Sequence, residues 1–172
     1  PYTVLQLTHS GRQSFPGSEP APIIAQVSPL LDRKPGRVVS DDELERLRDQ
    51  FVDAACFAAE AGFDAVDIKA CHGYLMGELL AAHNRPGKFG GSFENRMRLP
   101  LQVLREVREE AGPDYPILFR LSVDEFLPAG IDLALGQEIA KSLVEGGVDA
   151  VNVSVGAPET NHYVIPPSNL RH

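Results

Sequence analysis

Three residues able to donate a proton or a hydrogen bond cluster in the stretch VDIKACHGYL at 66–75: Lys69, His72 and Tyr74. An ammonium, an imidazole and a phenol at one place suit proton donation to a reacting atom. They equally suit stabilisation of negative charge as it builds on an oxygen. Two more polar groups interrupt apolar segments elsewhere, Gln6 in TVLQLT at 3–8 and Arg120 in PILFRLS at 116–122. A guanidinium inside such a segment is costly to bury without an anionic partner. Asp67 is an available structural partner for Arg120 or for Lys69. Each residue alone also has an ordinary use: Gln6 as a hydrogen bonder, His72 in a loop, Tyr74 in a core. Whether the five converge depends on the elements that carry them.

Those elements alternate. TVLQLT reads as a short strand, and 10–39, rich in Gly, Pro, Ser and Arg, reads as a long loop of a kind that often serves function. Ser40 opens a helix with capping-box spacing to Glu43, and Gly62 should end it. AVDIK at 65–69 is a strand, 75–82 a short helix, and 93–110 a longer helix. PILFRLS is a third strand, DLALGQEIAKSLVEGG a helix, DAVNVSVG at 149–156 a fourth strand, and 157–172 a loop-like tail. Strands alternating with helices imply right-handed crossovers and a parallel sheet. No Gly-x-Gly-x-x-Gly follows a strand, which disfavours a dinucleotide-binding Rossmann form.

Side chains alternate along each strand. Val66 and Ile68 oppose Asp67 and Lys69; Ile117, Phe119 and Leu121 oppose Arg120 and Ser122; Val151, Val153 and Val155 oppose Asn152 and Ser154. A doubly wound sheet would be apolar on both faces. One apolar and one polar face instead suit a (β/α) barrel, with helices outside and the polar strand ends opening at the C-terminal mouth, where such barrels keep their sites. Gln6, Lys69, His72, Tyr74 and Arg120 all fall at or just past strand ends. Four strands cannot close an eight-stranded barrel, so the expected α/β architecture is a partial TIM barrel: a fragment, a truncated product, or a half that needs a partner. The start at Pro1 rather than Met fits the same expectation.

Other chemistries find little support. His9, His83, His162 and His172 show no metal-ligand spacing, so no metal site is expected. Ser10 and Ser14 have no convincing base. Cys56 and Cys71 fit no redox or metal motif and imply no disulfide framework, which points to a reducing cytoplasm. A net charge of −8 argues against non-specific nucleic-acid binding. No apolar run is long enough to cross a membrane, and no secretory signal is apparent. With 43% hydrophobic and 23% charged residues, the 172-residue chain suits a single globular domain. A small-molecule partner is expected, and a homo-oligomer is left open.

The same stretches resemble a known family. QLTHSGR at 6–12 resembles the Q-L-x-H-x-G-R of the old yellow enzyme family, the NADH:flavin oxidoreductases. AGFDAVDIKACHGYLMGELL at 61–80 is similar to its A-G-F-D-x-V-E-I-H-x-A-H-G-Y-L-x-x-x-F-L, GGSFENRMR at 90–98 to its G-G-S-x-E-N-R-x-R, and FRLS at 119–122 to its R-L-S. The resemblance implies that 1–172 is a fragment of a single FMN-binding barrel domain, about strands three to six. It implies an ene-reductase: hydride passes from NADH or NADPH through FMN to an activated alkene such as an enone or enoyl compound. Gln6 and Arg120 fall where the family holds the flavin. His72 and Lys69 fall where it holds the substrate carbonyl, and Tyr74 where it keeps the proton donor. Lys69 departs from the family's usual histidine, which would favour a more anionic acceptor. RPGKFGG also departs from the usual R-T-D-x-Y-G-G. Phosphate-binding loops, and the iron-sulfur cluster of some relatives, would lie outside this chain. Two rival readings are a Schiff-base aldolase using Lys69 and a non-catalytic half-barrel module. Asp67, on the same face, would work against a neutral Lys69 nucleophile.

Overall fold

The computed structural model describes residues 1–15, 17, 19, 21–28 and 36–165. In chain order its elements are β1 (Val4–Leu7), β2 (Ile23–Ile24), β3 (Arg37–Val38), α1 (Asp41–Glu60), β4 (Ala65–Ala70), α2 (Leu75–Leu80), α3 (Phe93–Glu110), β5 (Ile117–Ser122), α4 (Leu133–Glu145), β6 (Ala150–Ser154) and α5 (Asn161–Val164). Single 3-10 turns lie at Gly11–Gln13 and Pro158–Thr160. Strands β1, β4, β5 and β6 form one sheet in that order, every neighbouring pair parallel. The long loop after β1 holds a small parallel pair, β2 with β3, that alternation did not reveal because each strand is two residues long. The rest of that loop, and the tail beyond 165 with His172, lie outside the described residues wherever they are not among those given above.

Local chemistry sets the boundaries. The Glu43 amide donates to Ser40 Oγ at 3.2 Å while the Ser40 amide donates to Glu43 Oε2 at 2.9 Å, closing the capping box that starts α1. Helix α1 stops at Glu60, two residues before Gly62, whose φ of +85° ends the run. Ser92 and Asp132 cap α3 and α4 with a side-chain oxygen alone, accepting from the Asn95 and Leu135 amides.

The core lies between the sheet and its helices. Val66, Ile68, Ile117, Phe119 and Leu121 are fully buried, against Leu44, Ala55 and Ala58 of α1, Val103, Leu104 and Val107 of α3, and Ile139 and Leu143 of α4. The expected apolar outer face thus holds for β4 and β5. On β6 that face is apolar but uncovered, with Val153 64% exposed: among the described residues only a 3-10 turn and the four-residue α5 follow this strand.

Candidate active site

Successive rungs of the sheet carry the polar face. Gln6 and Asp67 pair across β1 and β4; Lys69, Arg120 and Asn152 form the next rung; Ser122 and Ser154 face each other at the C-terminal ends. The Gln6 side-chain amide donates to Asp67 Oδ2 at 2.7 Å, and Asn152 Nδ2 reaches the same oxygen at 3.5 Å. Asn152 lies two strands from Asp67, so that contact crosses β5 and requires a concave face. This is the curl of a barrel wall. Asp67 is therefore engaged with Gln6 and Asn152, and neither Arg120 nor Lys69 is among its hydrogen-bond partners in the described residues.

Arg120 Nε is buried without a hydrogen-bond partner among the described residues, and so is Asp67 Oδ1. An orphaned buried donor calls for a ligand, a water or an ion to meet it. Lys69, the register partner of Arg120, turns its stem toward the end of β4 and sets Nζ 3.5 Å from the centroid of the Tyr74 ring. Tyr74 is the N-cap residue of α2. That helix is fixed from below by a buried ion pair between Arg12 and Glu78, and by the Leu75 amide donating to His9 O at 3.2 Å. The Q-L-T-H-S-G-R stretch thus contributes position as well as Gln6.

His72 sits in the left-handed region, φ +57°, followed by Gly73 at +66°. A non-glycine residue in that conformation costs of order 1–3 kcal/mol and persists only where its surroundings hold it. Here the His72 amide donates to Ser122 Oγ at 3.3 Å, and Ser122 in turn donates to Gly156 O at 2.9 Å. A Cβ on Gly73 would come within 2.9 Å of Pro158 Cδ, so the loop after β6 presses directly on this turn. The imidazole Nε2 lies 2.8 Å from Ser154 Oγ. Burial, reinforced by the Lys69 and Arg120 charges, holds the imidazole below its ordinary pKa. A neutral ring accepting from the Ser154 hydroxyl carries its proton on Nδ1, leaving that nitrogen as a donor. Gln13, Lys69, His72, Tyr74, Pro158 and Asn161 line an open cavity of about 480 Å³.

Four of the five expected residues thus gather at the C-terminal end of the sheet, around one cavity and the adjoining Arg120; Gln6 lies one rung deeper, joined through Asp67. Ser122, Ser154 and Arg12 were missed as positioning groups. Alternation had placed both serines on the polar face, which was the available signal. Cys71 is buried, and burial pushes its thiol up to about 11, so it is no nucleophile. Among the described residues no group of three or more His, Cys, Asp or Glu is placed to hold a metal ion. Behind Gly73 a small cavity of about 40 Å³ is lined by Arg12, Glu78, Glu125 and Glu159, among others.

The sequence profile of the NADH:flavin oxidoreductase / NADH oxidase family matches residues 2–162. The chain belongs to that family. It is 41% identical over 172 residues to the NADH oxidase of Thermoanaerobacter brockii, covering 96% of this chain and 26% of that protein. Among solved structures, the 2-naphthoyl-CoA reductase complex superposes with a TM-score of 0.82 at 28% identity, over 91% of this chain and 26% of the other. An old yellow enzyme homologue from Zymomonas mobilis superposes with a TM-score of 0.65 at 30% identity, over 79% of this chain and 42% of the other. The four parallel strands are an arc of the (β/α) barrel of this family. The chain spans about a quarter to a half of the length of the relatives it matches.

The residues present fit a flavin. Arg120 Nε is a buried cationic donor without a hydrogen-bond partner among the described residues, suited to the electron-rich end of an isoalloxazine ring, and the Gln6 amide lies on the same concave face.

Proposed function

We propose that residues 1–172 form part of a single FMN-binding barrel domain, and that the enzyme is an NAD(P)H-dependent ene-reductase. Bound FMN would supply the hydride chemistry, from NAD(P)H to the β-carbon of an activated alkene such as an enone or enoyl compound. Gln6 and Arg120 hold the flavin ring. His72, neutral and anchored by Ser154, donates to the carbonyl oxygen and stabilises the charge that gathers there. Tyr74 gives its phenolic proton to the α-carbon. Lys69 provides the cation of the same cavity. The buried Arg120 Nε, without a hydrogen-bond partner among the described residues and beside the Lys69–His72–Tyr74 cavity, carries this reading. A small-molecule acceptor and a cytoplasmic setting belong to the proposal; Cys56 and Cys71 are both free thiols, as a reducing compartment requires.

The test is the Tyr74→Phe variant of the flavin-loaded enzyme, followed separately through its two half-reactions. Flavin reduction by NAD(P)H should stay near normal, while alkene reduction slows by roughly 10²- to 10⁴-fold, the usual worth of a positioned acid. Equal slowing of both steps would remove Tyr74 from the proton-donor role. The aldolase reading loses ground because the chain belongs to a family of flavin oxidoreductases.

A further inference from the structure

We propose that Lys69 acts through Tyr74: its ammonium, held over the phenol ring, stabilises the phenolate that forms when Tyr74 gives up its proton. The inference rests on the proton-donor reading of Tyr74 and goes beyond it. Lys69 stands on the same rung as Arg120 and the same face as Asp67. Arg120 repels it. Asp67 Oδ2 is taken by Gln6 and Asn152, and no carboxylate forms an ion pair with Lys69 among the described residues. The recorded contact of Nζ is the Tyr74 ring, 3.5 Å from its centroid. A ring face attracts a cation through its quadrupole, and attracts it more strongly once the ring carries a full negative charge. The contact therefore tightens as the proton leaves, which is the condition for lowering a barrier rather than merely binding.

The step balances as follows. Bound flavin, once reduced, would supply a hydride to the β-carbon, and the alkene π pair would move toward the carbonyl. The Tyr74 O–H bond breaks, its proton forms the new C–H bond at the α-carbon, and the phenolate left under Lys69 regains a proton from solvent. Lys69 touches neither carbon, so it is a positioning residue. Its contribution is independent of any charge on the alkene.

A double-mutant cycle on the flavin-loaded enzyme tests this. Lys69→Met should slow alkene reduction roughly tenfold to a hundredfold, for a neutral enone and for an anionic enoate alike, while flavin content and flavin reduction stay near normal. Lys69→Arg should recover most of that loss. In a Tyr74→Phe background, Lys69→Met should add nothing further. Full additivity in the double variant would overturn the inference while leaving the Tyr74 reading intact. A loss confined to KM for the anionic alkene would overturn it too, making Lys69 a substrate contact. Normal alkene reduction in Tyr74→Phe alone would bring down the reading beneath it. A second readout needs no turnover. In flavin-free protein the Lys69 ε-methylene protons should resonate upfield of the other lysines, stay there in Tyr74→Phe and return to normal in Tyr74→Leu. A normal shift in the parent protein would overturn the contact itself.

Discussion

His72 shows how one residue's protonation is set by its neighbours. Burial lowers its pKa first, and the Lys69 and Arg120 charges lower it further. An imidazole depressed in the folded state contributes stability above its ordinary value of 6.5 and loses it as pH falls through the folded value. Removing one of the two cations should raise the titration midpoint. We expect Lys69→Met to shift the imidazole C2 proton titration of His72 upward by NMR; an unmoved midpoint would place the Lys69 charge away from the ring. The identity of this residue was legible in the sequence. Its left-handed backbone and its bond to Ser154 were not, since both depend on Ser122 and Ser154, separated from it in sequence by 50 and 82 residues. Lys69 was legible as a cation at a strand end, but its direction was not. Asp67, the expected partner, is claimed from β1 and β6, and only the assembled sheet brings Gln6 and Asn152 to it.

At the scale of elements, the loop between β5 and α4 is fastened to the loop after β6 around Glu125. The Ile131 amide donates to Glu125 Oε2 at 3.0 Å, and Thr160 Oγ1 donates to the Glu125 carbonyl at 2.8 Å. Burial pushes the Glu125 carboxyl up to about 7, with Glu78, Glu159 and Asp124 adding repulsion. The folded state therefore keeps a proton that the unfolded chain releases near 4.5, and stability falls as pH rises from there through about 7. Glu125→Gln should flatten that slope and stabilise the protein at about pH 8, by up to about 3 kcal/mol. Urea unfolding at about pH 5 and 8 measures it; an unchanged pH slope would count against a protonated Glu125. The strands and long helices were readable because caps and apolar alternation are local signals. The β2–β3 pair and α5 were not, being too short to show a period. Glu125 gave no signal either, because its burial comes from loops folded together over it.

For the whole molecule, the proposed function makes the described residues one wall of a flavin site. On that reading Gln6 and Arg120 offer donors for a ring, on the concave face of a four-stranded arc. The resemblance places the phosphate loops elsewhere in the barrel. We therefore expect the isolated 172-residue chain to retain little or no FMN, and any form that completes the barrel to carry it through purification, as read from visible absorbance. Tight flavin retention by the isolated chain would mean that this wall alone holds the phosphate. The barrel itself was legible from the contrast between apolar and polar strand faces. The uncovered outer face of β6 was not, because a valine run looks the same whether or not a helix lies over it.

The proposed acid, its cationic neighbour and the carbonyl donor occupy one uninterrupted run of six residues, from Lys69 to Tyr74, spanning a strand end and the cap of a helix. Such a run can be exchanged as a single cassette. Lineages sharing this barrel could trade proton-delivery chemistry by replacing one short segment, while the residues proposed to hold the ring, on other strands, stay as they were.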